Sequence, residues 1–164
     1  GIGMVTGLTY RFIEPLKAWS IHRAMAIAMS LLAIIHVSFL LIDSFAKYNV
    51  LDVLIPFKVQ FEQSQVFGIN VGSFYNALGI FSLYMLPFIV LSSLFFIESK
   101  KKLWELLHYL SYPFMVLVYF HTLFLGTDFK HGVLRLLWIV FGLVLVVLTV
   151  TRLARLGSLK QTDQ

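Results

Sequence analysis

The sequence contains no cysteine and few charged residues. Of its 164 residues 13% are charged, whereas an average soluble domain carries about 25%. Without cysteine there is no disulfide framework, no cysteine-ligated iron–sulfur cluster and no covalent C-x-x-C-H haem attachment. The chain also lacks a G-x-G-x-x-G pattern, the fingerprint of a dinucleotide-binding turn. Thiol chemistry and a nucleotide-binding module of that kind are therefore excluded from this sequence.

Apolar residues are abundant. They make up 59% of the chain, and the mean hydropathy is +0.87, while soluble domains are about 45–50% apolar. The net charge of +5 does not indicate a nucleic-acid partner, because the basic residues cluster at the ends of apolar runs. That distribution is typical of membrane flanks, so lipid is the expected partner.

Four apolar stretches predict four transmembrane helices, at about 20–45, 75–97, 103–125 and 133–153. Each has close to the roughly 20 residues that a bilayer requires. The predicted fold is an all-α integral membrane protein, a four-helix transmembrane bundle that forms one domain over 1–164. Pro87 predicts a kink in the second helix. The connecting stretch VLDVLIPFKVQFE, 50–62, is expected to lie along the membrane surface.

The basic residues predict an orientation. With four spans, one side of the membrane holds nine of them: Arg11, Lys17, Arg23, Lys100, Lys101, Lys102, Arg152, Arg155 and Lys160. The other side holds four: Lys47, Lys58, Lys130 and Arg135. Cytoplasmic loops carry the excess of Lys and Arg, so both termini are predicted to be cytoplasmic.

Two predicted spans carry a pair of histidines each. His22 and His36 lie fourteen residues apart in HRAMAIAMSLLAIIH, and His108 and His121 lie thirteen apart. Ionisable residues inside a membrane are costly and indicate a functional site. The two spans run in the same direction, so the first histidines lie at one depth and the second at another, about 20 Å away. Two depth-matched pairs are what two stacked b-type haems need for axial ligands.

Helical rotation agrees less well with this arrangement. At about 100° per residue, fourteen residues return to within about 40° of the starting face, but thirteen fall short of it by about 140°. Pro113 lies between His108 and His121 and is expected to distort the helix. The sequence does not give the direction of that distortion.

Other interpretations of these residues stay open. A single histidine in a membrane helix often only bonds a neighbouring helix. Arg23 either pairs with a haem propionate or anchors the helix at the membrane edge, and His131 is expected to be solvated in a turn. A haem-free protein that passes metal ions or protons is one alternative function, although the spans lack the carboxylates usual for it. A cytochrome b subunit that oxidises quinol is another.

The segments HRAMAIAMSLLAIIH and WELLHYLSYPFMVLVYFHTLFLGTD resemble the transmembrane domain of the ferric reductase-like family. That family includes NADPH oxidases, ferric-chelate reductases and the haem-binding subunit of the periplasmic methionine sulfoxide reductase. The histidine spacing of fourteen and then thirteen is its signature, and the HR pair and the LH-x-L-x-Y run resemble its bacterial members. The resemblance covers about residues 5–150.

The resemblance implies two b haems, one held by His22 with His108 and the other by His36 with His121. Electrons would pass outward across the cell membrane to ferric iron, dioxygen or an exported protein. Members usually have six spans, so one or two N-terminal helices are expected to be missing here. The flavin and NAD(P)H would belong to a partner, a cytoplasmic flavin reductase, or to a missing domain.

Overall fold

The structure is a computed structural model, and it describes residues 13–44, 47–59, 65–66, 69–129 and 131–162. It is helical, as predicted. The helices are α1 (Pro15–Ile42), α2 (Val50–Leu54), α3 (Val71–Phe95), α4 (Lys101–His108), α5 (Ser111–Leu125) and α6 (Gly132–Thr162). Two short strands, β1 (Gln65–Val66) and β2 (Ile69–Asn70), pair antiparallel. Residues 27–131 form one compact unit, and the described residues on either side of that range form another.

Among the described residues, three helices are long and apolar enough to cross a membrane: α1, α3 and the first part of α6, Gly132–Thr151. Large apolar side chains are exposed along α1 and α6, among them Leu16, Ile42 and Val133. Soluble monomers rarely expose apolar surface on this scale, whereas lipid would cover it. The chain is therefore a membrane protein.

Helix α1 begins earlier than predicted. The sequence placed its start at Ser20, but the helix begins at Pro15 and ends at Ile42. Proline suits the first position of a helix, because its fixed φ is already helical and its missing N–H would have no partner there. Residues 15–19, which the prediction left outside the span, therefore belong to the first turns of the helix.

Helix α3 lies at the centre of the 27–131 unit. It spans Val71–Phe95 with Pro87 inside, where 75–97 was predicted. It packs against α4 and α5. Nearly all the fully buried side chains of the described residues lie on it: Ser73, Asn76, Ala77, Leu78, Ile80, Ser82, Leu86, Ile89 and Ser92. Serine hydroxyls in a buried helix need partners, and Ser82 Oγ donates to the Leu78 carbonyl at 2.8 Å.

The third predicted span is interrupted, so the prediction of one helix over 103–125 is wrong. Helix α4 has 8 residues and α5 has 15. Pro113 has no N–H to donate to the carbonyl of Tyr109, four residues earlier, and its ring crowds that oxygen. The amide of Tyr112 donates to the Tyr109 carbonyl instead, at 3.1 Å. Neither helix alone reaches the roughly 20 residues that a bilayer requires.

The segment after α1 turns back along α3. Two hydroxyls of α3 donate to its backbone: Tyr84 to the Leu54 carbonyl and Ser73 to the Val59 carbonyl. Ser73 and Tyr84 lie eleven residues apart on α3, a rise of about 16 Å. That this segment lies along the membrane surface stays a prediction. Backbone carbonyls outside regular helices need partners, and the α3 hydroxyls supply two of them.

The same segment is also fixed internally. Asn49 caps α2 through a reciprocal pair of bonds with Asp52, which satisfies amides that a short helix would otherwise leave unpaired. Lys58 Nζ lies 3.0 Å from an Asp52 carboxylate oxygen. Hydrogen bonding from the Asn49 amide, and then from Lys58, lowers the pKa of Asp52.

Candidate functional site

The structure brings two of the predicted histidines together. His36 of α1 and His121 of α5 are distant in sequence, but their ring centres lie 6.5 Å apart and their planes are 82° apart. His36 is exposed and His121 is half-buried. We call this pair the His36–His121 site.

His121 is oriented by helix α3. Its Nδ1 lies 3.0 Å from the backbone carbonyl oxygen of Tyr75, and because a carbonyl can only accept, Nδ1 carries the proton. Nε2 is then unprotonated and available to a metal, the usual arrangement for a ligating histidine. The Tyr75 ring stacks on Phe124 of α5, with centres 4.1 Å apart and planes at 14°. That contact fixes α5 against the part of α3 that carries the carbonyl.

Gly79 makes room for the His121 ring. A Cβ at Gly79 would lie 2.5 Å from both Cε1 and Nδ1 of His121, closer than nonbonded atoms can approach. Glycine inside a helix costs about 0.5–1 kcal/mol relative to alanine. Because Gly79 has no side chain, helix α3 and the His121 imidazole can lie in direct contact.

An open groove lies beside His36. It has a volume of about 350 Å³ and is lined by His36, Phe39, Leu40, Ile42 and Asp43. Cofactor sites are mostly apolar with a few placed polar groups, and their volumes begin at about 300 Å³. The groove meets that description on the α1 side of the His36–His121 site.

The His108 site lies at the other end of α3. Nδ1 of His108 is 3.2 Å from the hydroxyl oxygen of Ser93. The indole N–H of Trp104 donates to the same oxygen at 3.1 Å, and the Trp104 ring lies 5.3 Å from the His108 ring, centre to centre. This histidine too is contacted at Nδ1.

The two sites lie toward opposite ends of α3. Gly79, under His121, and Ser93, beside His108, are fourteen residues apart on α3, a rise of about 21 Å. The thirteen residues between the histidines predicted about 19.5 Å for a continuous helix. Helix α3 therefore positions both histidines of the α4–α5 segment.

The break after α4 also gives the direction of the rotation that the sequence left open. Tyr109 has φ −61° and ψ −22°, and Leu110 has φ −58° and ψ −18°, which are 3₁₀ values. A 3₁₀ residue turns about 120° instead of about 100°, so two of them add about 40°. The addition is in the direction that brings His121 back toward the face of His108.

The remaining predicted residues lie elsewhere. His22 is half-buried on α1 in the first unit, whereas His108 is in the second, and their pairing stays a prediction. The Arg23 guanidinium lies over the ring of Trp19, 5.7 Å from its centre, and its role toward a propionate also stays a prediction. His131 is exposed in the turn before α6.

The residues of the His36–His121 site fit a haem iron. If an imidazole nitrogen on each side lay about 2 Å from one iron, as in ordinary metal–imidazole bonds, the ring centres would lie about 6 Å apart. The observed separation is 6.5 Å, and His121 already presents the correct nitrogen. In the part of the chain that the structure describes, no three His, Cys, Asp or Glu residues are grouped to hold a metal ion.

Several contributors were missed from the sequence. Gly79 could have been identified from the sequence, because an isolated glycine inside a helical pattern indicates close packing. No sequence feature distinguishes Ser93, because Ser92 and Ser99 lie near it on the same stretch. The Tyr75 carbonyl is a backbone group that any residue would supply, so no side-chain pattern marks it.

Comparison with known proteins identifies the class. The family described as "Ferric reductase like transmembrane component" matches residues 4–119, well over half of the chain. The protein therefore belongs to the ferric reductase-like transmembrane family, as its sequence motifs predicted. The matched range contains His22, His36 and His108 and ends two residues before His121. Searches of curated proteins and of solved structures found no match.

Proposed function

We propose that this chain is the haem-binding, electron-transferring membrane part of an oxidoreductase. His36 and His121 would hold one b-type haem, and His22 and His108 a second. The observation that carries the proposal is the 6.5 Å separation of the His36 and His121 rings, together with the bond from His121 Nδ1 to the Tyr75 carbonyl. Family membership supports transmembrane electron transfer in general.

The chain's own residues would do three things at the His36–His121 site. The two imidazoles would hold the haem iron, a ligand set that suits electron transfer. The Tyr75 carbonyl keeps the His121 ring in place and raises its basicity as a ligand. Phe39, Leu40 and Ile42 would exclude water along the groove. Bound haem would supply the one-electron iron couple.

The second haem rests on fewer observations. His22 and His36 share helix α1, fourteen residues apart, and His108 is held through Nδ1 by Ser93. Arg23, next to His22, would be available to a propionate. With α4 and α5 together as a fourth crossing, the proposed architecture is a four-helix bundle in the cell membrane, with cytoplasmic termini and both haems inside it.

A cytoplasmic flavin reductase using NAD(P)H would be the donor, and a ferric complex, dioxygen or an exported protein the acceptor. These options are tested with the purified, dithionite-reduced chain, by following haem reoxidation after each acceptor is added. A chain that is instead reduced directly by quinol would support the cytochrome b alternative and contradict the proposed direction of electron flow.

The central test is haem stoichiometry. We expect a pyridine haemochrome assay of the purified chain to give two b haems, with the sharp reduced bands of low-spin iron. No haem would overturn the proposal and favour a haem-free role for the histidines. One haem would mean that only one of the two histidine pairs is a ligand pair.

Orientation is tested by labelling, for which the absence of native cysteine is an advantage. Ser99 lies in the turn between α3 and α4, and Asp128 lies in the exposed turn after α5. In intact cells, Asp128→Cys should react with a membrane-impermeant thiol reagent and Ser99→Cys should not. The reverse pattern would contradict cytoplasmic termini and invert the proposed electron path.

A further inference from the structure

Asn76 of helix α3 has a buried amide that no group in the described part of the chain satisfies. The residue is 8% exposed, and its Nδ2 is enclosed and has no hydrogen-bond partner. Ser82, a buried serine of the same helix, differs because its hydroxyl donates to the Leu78 carbonyl at 2.8 Å. Nearly all buried polar groups in proteins are hydrogen-bonded, and an orphaned donor carries the full cost of its desolvation. The Asn76 amide therefore has a hydrogen bond to offer to a bound group.

Asn76 lies beside the His36–His121 site. It directly follows Tyr75, whose carbonyl accepts from His121 Nδ1. It also comes three residues before Gly79, where an added Cβ would lie 2.5 Å from two atoms of the His121 ring. Side chains three residues apart on a helix are neighbours, with Cβ atoms about 5–6 Å apart, so the Cβ of Asn76 lies within about 9 Å of the imidazole.

The start of α3 favours a negatively charged acceptor. The helix begins at Val71, five residues before Asn76, and has no acidic residue in its first turn. The Cα–Cβ bonds of a helix tilt toward its N-terminus, so the Asn76 side chain leans toward that end. A helix N-terminus carries a partial positive charge that stabilises anions. An anionic acceptor is therefore favoured over a neutral one at this position.

A b-type haem has one kind of hydrogen-bond acceptor at its rim. Its pyrrole nitrogens bind the iron, and its methyl and vinyl groups cannot accept. Its two propionates can, because the oxygens of an ionised carboxylate accept hydrogen bonds. We propose that the Asn76 amide donates a hydrogen bond to one propionate of the haem at the His36–His121 site. The inference rests on the proposed function, and it turns the propionate edge of that haem toward the start of α3.

This bond stabilises the haem-loaded chain and not the haem-free one. Without haem, the enclosed Nδ2 has lost its hydration and gained no bond in return. With haem, it makes a charge-assisted bond, which is stronger than a neutral one. Rotation about χ2 is broad for asparagine, so the amide can turn Nδ2 toward the carboxylate without a change in the helix. Removal of the amide should therefore stabilise the haem-free chain and weaken haem binding, two effects of opposite sign.

Asn76→Leu tests both effects, because it replaces the amide nitrogen and oxygen by methyl groups. We expect the haem at the His36–His121 site to dissociate about 10–100-fold faster, the usual consequence of losing a hydrogen bond to a charged group. The thermal midpoint of the haem-free chain should rise. Asn76→Asp keeps the shape of the side chain but adds a carboxylate that repels a propionate, so it should also speed dissociation of this haem.

Ser82→Ala is the matched control. Ser82 is also three residues from Gly79 and is 4% exposed, but it lies on the side away from the start of α3 and its hydroxyl already has a partner. Ser82→Ala should therefore leave haem dissociation at the His36–His121 site unchanged.

Iron etioporphyrin separates a bond to the propionate from an effect on shape, because its rim carries only alkyl groups. The full chain is loaded with haem or with iron etioporphyrin, and the loss of each to an excess of a haem-scavenging protein is measured. The His36–His121 site is identified as the one empty in His121→Ala. Asn76→Leu should speed the loss of haem there and leave the loss of iron etioporphyrin as in wild type. Equal acceleration for both porphyrins, an equal effect at both sites, or no effect would overturn the assignment.

The outcome also separates this inference from the proposed function. Two haems in wild type with no selective effect of Asn76→Leu would contradict the role of Asn76 and leave the proposed function intact. A wild-type chain that binds no haem would contradict both. A lower thermal midpoint of haem-free Asn76→Leu would show that the amide stabilises the fold itself, which contradicts the assignment. Variants are compared only as monodisperse protein.

Discussion

Helix α3 contacts one histidine near each end, through the same ring atom but with different acceptors. Near its start, the backbone carbonyl of Tyr75 accepts from His121 Nδ1. Near its end, the side-chain hydroxyl of Ser93 contacts His108 Nδ1, with Trp104 bonded to the same oxygen. A carbonyl can only accept and is present whatever the side chain, whereas a hydroxyl can either donate or accept.

The difference also concerns packing. At His121, α3 comes so close that only glycine fits at position 79, and the aromatic pair Tyr75–Phe124 fixes the distance between the helices. At His108, the ring is contacted by the Ser93 hydroxyl, to which the Trp104 indole N–H also donates. The His36–His121 site is thus controlled by backbone and shape, and the His108 site by side-chain hydrogen bonds.

The largest effect on haem content is expected when a ligand histidine is removed from one site or the other. His121→Ala should remove one haem and His108→Ala the other, because a single remaining histidine supplies only one axial bond. Haem content and reduced spectra of the purified variants measure this, and His36→Ala should reproduce the spectrum of His121→Ala. His131→Ala, in an exposed turn, is the control and should retain both haems.

The pairing would be wrong if His36→Ala and His108→Ala depleted the same haem. An empty haem site leaves a cavity, which lowers stability. The comparison therefore requires variants that still purify as one species.

A second prediction concerns Gly79→Ala. An alanine inside an exposed helix usually stabilises it by about 1 kcal/mol over glycine, but here the added Cβ must displace His121. Overpacking of this kind costs about 1–3 kcal/mol of folding free energy. The displaced His121 ring should bind haem more weakly. We therefore expect the variant to lose the haem at the His36–His121 site and to keep the other haem. Haem content after exposure to a haem-scavenging protein measures it.

Gly142→Ala, the same change in helix α6 of the other unit, is the control for Gly79→Ala. It should keep both haems. If Gly79→Ala also kept both, at wild-type dissociation rates, the close contact between α3 and His121 would not matter for ligation.

The smallest effect is expected for Tyr75→Phe. The hydroxyl is lost, but the carbonyl that accepts from His121 and the ring that stacks on Phe124 both remain. Midpoint potentials and haem loss should match wild type within error. A selective shift of the haem at the His36–His121 site would show that the Tyr75 side chain, and not only its backbone, controls His121.

Part of this comparison could be predicted from the sequence. The histidine spacing predicted a separation of about 20 Å along the membrane, which stays a prediction, and Pro113 marked the stretch in which the third span is interrupted. The end of that stretch at Leu125 agrees with the prediction, but the break at Tyr109 and Leu110 was not placed, because apolar composition does not report hydrogen-bond continuity. The contact of the segment after α1 with α3 was missed because the hydroxyls that bond its backbone, on Ser73 and Tyr84, come later in the sequence.

By itself, the sequence determined the membrane class and supplied the four candidate ligands, and the resemblance to the family paired His36 with His121. Only the tertiary structure decided how close those two rings lie, that a carbonyl and a hydroxyl of α3 contact His121 and His108, and that Gly79 must be small. Those features depend on contacts between helices, and contacts between residues distant in sequence leave no periodic pattern in the chain. The direction of the helix rotation at Tyr109 and Leu110 was also decided only by the tertiary structure. A proline removes a hydrogen bond, but the surrounding packing selects how the backbone responds.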